Sequence, residues 1–261
     1  MTTTLSRAGD EGQPPRGRAS YGLDAPGVVW GLLGGGAAAG ACGLLLHFWP
    51  VLTRFEWAPS LGITLLNAGA WCLLGGVLMV ASSYYGKFRA RDRLLARLQL
   101  QGTESLLDVG CGHGLLLLGA AKLLPNGHAT GLDLWSRVDQ SDNSRAATLR
   151  NATLEGVADR VDVRDGDMRN MHFADATFDV VVANLAIHNV PTRDGRRQAI
   201  REIVRVLKPG GQVALMDLKN TGLYADELRR AGMRDVRVSW PSFWIWPPVR
   251  TATGRKQVGN G

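Results

Sequence analysis

Two stretches of this 261-residue chain, Gly27 to Leu52 and Leu61 to Tyr85, contain no Asp, Glu, Lys or Arg. A bilayer core of roughly 30 Å is crossed by about 20 apolar residues in helical form, so each stretch suffices for one passage. Soluble cores seldom supply uncharged runs this long. We read the pair as a transmembrane hairpin turned around Arg54 to Ser60. Trp30, Trp49, Trp57, Tyr84 and Tyr85 stand near the ends, where amphipathic rings suit the headgroup level. The first run is too long for the apolar region of a cleaved signal and lacks a small-residue cleavage pattern.

The flanks set the orientation. Arg7, Arg16 and Arg18 precede the first span, and Lys87, Arg89, Arg91, Arg93 and Arg97 follow the second, whereas the turn has only Arg54 beside Glu56. By the positive-inside rule the chain is an integral membrane protein with both termini, and everything after the second span, in the cytoplasm. Much of the formal net charge of +7 belongs to "GKFRARDRLLAR" at the membrane exit. That segment reads as a polybasic stretch held near anionic lipid headgroups, which weakens a nucleic-acid reading of the charge.

Gly27, Gly31 and Gly35, then Gly36 and Gly40, put small residues four apart, a spacing that permits close approach of the two spans or of two protomers in a homodimer. Asn67, deep in the second span, is expected to hydrogen-bond across to the first. Cys42 and Cys72 lie in the spans and Cys111 in a glycine loop, which excludes a disulfide framework. Residues 1–26 are rich in Gly, Pro, Ser and Arg without apolar periodicity and are expected to be a disordered tail. The chain thus divides into that tail, a membrane hairpin over 27–85 and a soluble domain over 86–261.

From Glu104 onward short apolar runs alternate with amphipathic segments, the pattern of an α/β domain with a parallel sheet wrapped by helices. "SLLDV", "HATGLDL", "RVDVRDGD", "FDVVVANLA" and "QVALMDL" read as successive strands, and "RDVRVSW" with "PVRTATG" as a closing hairpin. The helix "DGRRQAIREIVRVL" stops at "KPGG".

In open α/β sheets, ligands bind outside the carboxyl ends of the strands. The first strand ends in Asp108 and the loop Gly110, Gly112, Gly114; the second in Asp133; the third in Asp165 and Asp167; the fourth in Asn184; the fifth in Asp217. No Lys or Arg stands among them. A dinucleotide fingerprint spaces its glycines G-x-G-x-x-G and seats a pyrophosphate on the following helix. Here the spacing is G-x-G-x-G with Asp108 two residues ahead, an arrangement that repels a pyrophosphate and suits an ammonium or a sulfonium. Asp133 fits a pair of ribose hydroxyls.

With "DVGCGHG", Asp133, Asp167, Asn184 and "LKPGG" in this order, the chain from about Leu94 to its C-terminus resembles class I S-adenosylmethionine-dependent methyltransferases, particularly compact types akin to quinone-biosynthesis enzymes. The resemblance implies a Rossmann-like seven-stranded sheet of order 3-2-1-4-5-7-6, here preceded by the transmembrane hairpin. It implies that Asp108, Gly110, Cys111, Gly112 and Gly114 wrap the methionine part of S-adenosylmethionine. Asp133 and Leu134 would meet the ribose, Asp167 and Met168 the adenine edge, and Asn184 with Leu185 the transferred methyl. His113 stands at a variable loop position.

Methyl transfer is an in-line displacement at an activated carbon, so a protein mainly aligns the acceptor and excludes water. A base is needed only if the acceptor must lose a proton. His188, after the fourth strand, is the leading candidate beside Asn184, with His172 and Asp217 behind it. The histidines show no metal-ligand spacing, and no metal is expected. Fusion of "GKFRARDRLLARLQL" to the second span sets the entrance near the bilayer and favours a small, lipophilic acceptor. The aromatics Trp240, Phe243, Trp244 and Trp246 dip into the interface, line the pocket, or pack within a closing hairpin. An NAD(P)-dependent oxidoreductase and a non-catalytic, membrane-bound scaffold binding S-adenosylmethionine are the alternatives. Nucleic-acid methylation is disfavoured, because "NLAI" replaces an N-P-P-[YW] motif after the fourth strand.

Overall fold

The computed structural model describes residues 17–135 and 143–258. Helices α1 (Pro26–Phe48) and α2 (Trp57–Ala81) have 23 and 25 residues, each about 35 Å long at 1.5 Å per residue. Both are long and apolar enough to cross a membrane. They pack antiparallel through Gly36 and Gly43, seven apart, and the four-apart pair Gly36 and Gly40 flanks Gly69 of the partner helix. A Cβ on Gly36 would meet the Gly69 carbonyl at 3.0 Å, one on Gly43 the Gly62 carbonyl at 2.8 Å, and one on Gly69 the Gly40 nitrogen at 2.9 Å, whereas one on Gly27, Gly31 or Gly35 would meet nothing within 4 Å. Seven residues bring a side chain back to the same face after two turns, so this seam runs along the helix pair. Asn67 does not reach α1: its amide donates to the Ile63 carbonyl one turn back at 3.0 Å, which satisfies it within its own helix.

A π-helical turn over Ser82–Gly86 joins α2 to α3 (Lys87–Leu98) without a break in the helical rod. The sheet follows: β1 (Ser105–Val109), α4 (Leu115–Ala121), β2 (His128–Asp133), α5 (Arg145–Leu154), β3 (Val161–Asp165), β4 (Phe178–Asn184), α6 (Arg193–Val206), β5 (Leu207–Asp217), α7 (Thr221–Arg230), β6 (Arg234–Val238) and β7 (Arg250–Arg255). The strand order is 3-2-1-4-5-7-6, with β7 antiparallel to both β5 and β6.

Alternate residues of each strand face opposite layers. Leu106 joins a core with α3, α4 and α5, while its neighbour Leu107 joins another with α6 and α7. β1 pairs with β2 on one side and β4 on the other, so all three strand ends open at one edge, where the order reverses. Helix starts are capped by side chains: Ser144 Oγ accepts from Ala147 N–H, and Thr192 Oγ1 from Gly195 N–H.

The expected disorder up to Pro26 does not hold for residues 17–25. Ser20 and Asn151 exchange two hydrogen bonds of 3.1 and 2.8 Å, and the Tyr21 hydroxyl donates to Glu155 at 2.9 Å. Tertiary hydrogen bonds hold this strap, so no apolar periodicity announces it. Residues 1–16 lie outside the described residues.

Candidate active site

A cavity of about 420 Å³ lies at the strand-end edge, within the size range of ligand sites. It brings together Asp108, Gly110, Cys111, Gly112, Asp133, Leu134, Asp167, Met168, Asn184 and His188. Gly114 and His172 do not line it. Gly114, at φ 85°, instead starts α4, and His172 is exposed.

The loop after β1 is pinned from below. Asp133 Oδ2 accepts from Gly112 N–H at 2.8 Å, Gly110 N–H donates to the Leu132 carbonyl at 2.7 Å, and Thr148 Oγ1 donates to the Gly112 carbonyl at 2.6 Å. Gly110 has φ 75°, and a Cβ there would run into the Ala186 methyl. Only a glycine lets the backbone pass at this conformation and distance.

Neither carboxylate oxygen of Asp108 makes a hydrogen bond, and the residue is 1% exposed. Burial, with Asp133 nearby, pushes its carboxyl up to about 7. Asn184 Oδ1 is likewise buried without a partner. These orphaned acceptors call for donors from a ligand. The donor set and the glycine cradle fit a compact cationic group with no phosphate. Asp167 is held by Arg169 through both oxygens, which keeps its carboxyl below the usual range.

His188 and Asp217 form a pair that spacing alone did not reveal. Nδ1 of His188 lies 2.7 Å from Asp217 Oδ1, and the His188 backbone N–H donates to Asp217 Oδ2 at 3.0 Å. Tyr224 and Leu218 also donate to Asp217, fixing it behind the imidazole. The 2.7 Å approach is misaligned for an Nδ1 hydrogen bond, so Asp217 serves as a counter-ion to a protonated ring, and Nε2 is left to exchange a proton.

Sequence reasoning missed the cavity's other wall. Tyr21, Asp24 and Ala25 of the strap, Met79 and Ser83 near the end of the second span, and Lys87 all line it. Lys87 belongs by sequence to the basic flank, yet it is buried. Its Nζ donates to the Tyr21 and Gly22 carbonyls at 2.9 and 2.6 Å and lies 3.4 Å from Asp24. Met79, Ser83 and Lys87 recur every four residues across the π turn, a stripe that apolar periodicity conceals. The C-terminal aromatics divide: Trp246 lines the cavity, Trp244 packs on α3, and Trp240 and Phe243 are exposed.

A seven-stranded sheet of this order with its cavity at the β1 and β4 ends defines a Rossmann-like methyltransferase fold. The [4+2]-cyclase SpnF shares it at TM-score 0.53 and 22% identity, over 66% of this chain and 82% of that one, a likeness of fold alone. Residues 107–215 match the family model described as "Methyltransferase domain". The chain is 29% identical over 130 residues to demethylmenaquinone methyltransferase of Lactobacillus johnsonii, 49% of either chain. It is 34% identical over 145 residues to 27-O-demethylrifamycin SV methyltransferase of Amycolatopsis mediterranei, 54% of this chain and 50% of that one. The chain spans about half the length of these curated relatives. The sheet domain is thus similar to the methyl-transferring domain of these relatives over residues 107–215.

Proposed function

We propose that this chain is a membrane-anchored methyltransferase that transfers a methyl group to a small lipophilic acceptor entering from the bilayer. One observation carries the reading: the cavity at the strand ends is also walled by Met79, Ser83 and Lys87, at the end of an apolar helix long enough to span a membrane. The relatives named above act on a quinone and a rifamycin, which supports the acceptor class. The exposed apolar surface of the hairpin, with Trp71 72% exposed and Trp30 68%, supports insertion. The hairpin is residues 27–85 and the transferase domain 86–261, facing the cytoplasm.

S-Adenosylmethionine supplies an activated, electrophilic methyl group. In this reading the glycine loop wraps the donor's methionine portion, Asp108 pairs with its positive charge, and Asp133 and Leu134 meet the ribose. Asp167 and Met168 take the adenine edge, and the Asn184 oxygen faces the reacting carbon. His188 Nε2 receives the proton of an acidic acceptor, while Asp217, which accepts from the His188 backbone N–H, lies beside the ring and stabilises its charge. Trp246 and the strap exclude water.

The test is incubation of vesicles bearing the full chain with isotopically labelled donor, followed by profiling of lipid and aqueous extracts. Label appears in a lipophilic product, and the chain resists extraction by alkaline carbonate. Label confined to water-soluble products, or release by carbonate, defeats the reading.

Asp108 gives a second expectation. Its folded pKa of about 7 lies above the ordinary 3.8, so the ligand-free folded protein retains a proton that the unfolded chain gives up between those values. The stability from this group is full below about pH 4 and is lost as pH rises through 7. A cation paired with Asp108 reverses the shift. Binding of S-adenosylmethionine at pH 6 then releases up to about 0.9 proton, and almost none at pH 8.5. Calorimetry in buffers of differing ionisation enthalpy measures this. Asp108→Asn loses the release, whereas a buffer-independent heat at pH 6 in the unaltered protein rejects the pairing.

A further inference from the structure

On the sheet face opposite α6 and α7, a second depression of about 1070 Å³ lies between α3, β5, the β6–β7 hairpin and the loop after β6. This is slightly above the range of roughly 300–1,000 Å³ found for small-molecule sites. Its floor is apolar, formed by Leu94, Leu98, Ala214 and Met216. Its rim is cationic: Arg93 and Arg97 from α3, Arg237 from β6 and Arg255 from β7, all exposed. None of the four has a carboxylate within ion-pair distance among the described residues, whereas Arg164, Arg169 and Arg205 elsewhere on the domain each hold one. A single acid, Asp235, stands at the rim. An apolar trough with unneutralised guanidiniums around it matches an amphiphile carrying an anionic head.

Its position selects the source. Arg89 and Arg93 stand one and two turns beyond Tyr85, about 6 and 12 Å along the helix that continues the second span. Both guanidiniums lie over the Trp244 ring, at 5.5 and 4.7 Å from its centroid. The Trp244 backbone sits so close to Gly86 that a Cβ there would strike its carbonyl oxygen, which fixes the loop against the membrane end of α3. From this loop Trp240 projects 90% exposed and Phe243 70%, beside the groove.

We propose that the groove seats an anionic glycerophospholipid of the cytoplasmic leaflet, its phosphate among Arg93, Arg97, Arg237 and Arg255 and its acyl chain along the α3 and β5 floor. Trp240 and Phe243 enter the interface alongside it. The site is distinct from the methyl-transfer cavity and rests on the reading that α1 and α2 span the bilayer.

The test uses the full chain in nanodiscs of phosphatidylcholine with and without phosphatidylglycerol, with retained lipid read by native mass spectrometry and Trp240 exposure by quenching with brominated acyl chains. Phosphatidylglycerol is retained over phosphatidylcholine, and Arg237→Gln with Arg255→Gln lowers that preference by about fivefold per arginine, the contribution of one basic residue at an anionic surface. Arg97→Gln, on a different element, has the same effect, and the ion-paired surface control Arg164→Gln has none. The quenching difference between the unaltered chain and Trp240→Phe is larger in the anionic discs. A chain that inserts normally but shows no arginine-dependent preference overturns the groove alone. Failure to insert into either disc overturns the membrane reading and the groove with it. Displacement of the lipid by inorganic phosphate at matched concentration reduces the site to a simple anion site and overturns the lipid assignment.

Discussion

Gly110→Ala weakens S-adenosylhomocysteine binding by about 30- to 5,000-fold in titration calorimetry. Two effects add. The backbone at φ 75° costs an alanine about 1–2 kcal/mol, and forcing a methyl into the space of Ala186 costs about 1–3 kcal/mol more. The clash moves the β4 exit, where Leu185 already holds a left-handed φ of 53° and His188 follows within one turn, so the loop and the opposite wall are displaced together. Gly232→Ala separates strain from collision, since Gly232 has φ 78° but nothing within 4 Å of the point where a Cβ would stand. It lowers stability by about 1 kcal/mol and leaves binding unchanged. Affinity of Gly110→Ala within threefold of the unaltered protein contradicts the close wrap of the ligand by this loop.

The second large effect is on the chemical step. His188→Ala lowers kcat by about 10²- to 10⁴-fold on an acceptor that must lose a proton, while donor affinity changes little. Added imidazole restores part of the rate, because the space left beside Asp217 accepts the missing ring. Asp217→Asn lowers kcat as well, by loss of the anion that balances the charge of the protonated ring. A rate for His188→Ala within threefold of the unaltered enzyme removes proton transfer through this residue from the mechanism.

The strand ends were legible for a physical reason. A buried parallel strand is a run of Val, Leu and Ala that stops where the chain meets the cavity, so Asp108, Asp133, Asn184 and Asp217 mark their own positions. The glycine spacing added the backbone geometry of the loop. The His188 and Asp217 pair was not legible, because residues from two strand exits meet only through the order of β4 and β5 in the sheet. The strap escaped notice for a different reason. Its order comes from Lys87, Asn151, Ser83 and Glu155, distant in sequence, and backbone carbonyls leave no mark on a residue pattern. The basic flank misled in one respect: positive-inside reasoning treats its members alike, yet Lys87 turns inward to the strap while Arg93 and Arg97 remain at the surface. The glycine spacing in the first span pointed to a seam at intervals of four; Gly36 and Gly40 bear it out at Gly69, and the seam continues at Gly43 rather than through Gly27, Gly31 and Gly35.

The shared wall of the cavity bears on how the protein is divided. A cut after Tyr85 looks like a clean boundary between hydrophobic hairpin and catalytic domain, but Tyr21, Asp24, Met79 and Ser83 all fall on the discarded side. The severed fragment keeps the whole sheet and lacks part of the chamber's lining, and Lys87 is left as a buried cation stripped of the carbonyls that solvate it. Hairpin and sheet domain are in this sense one piece of architecture.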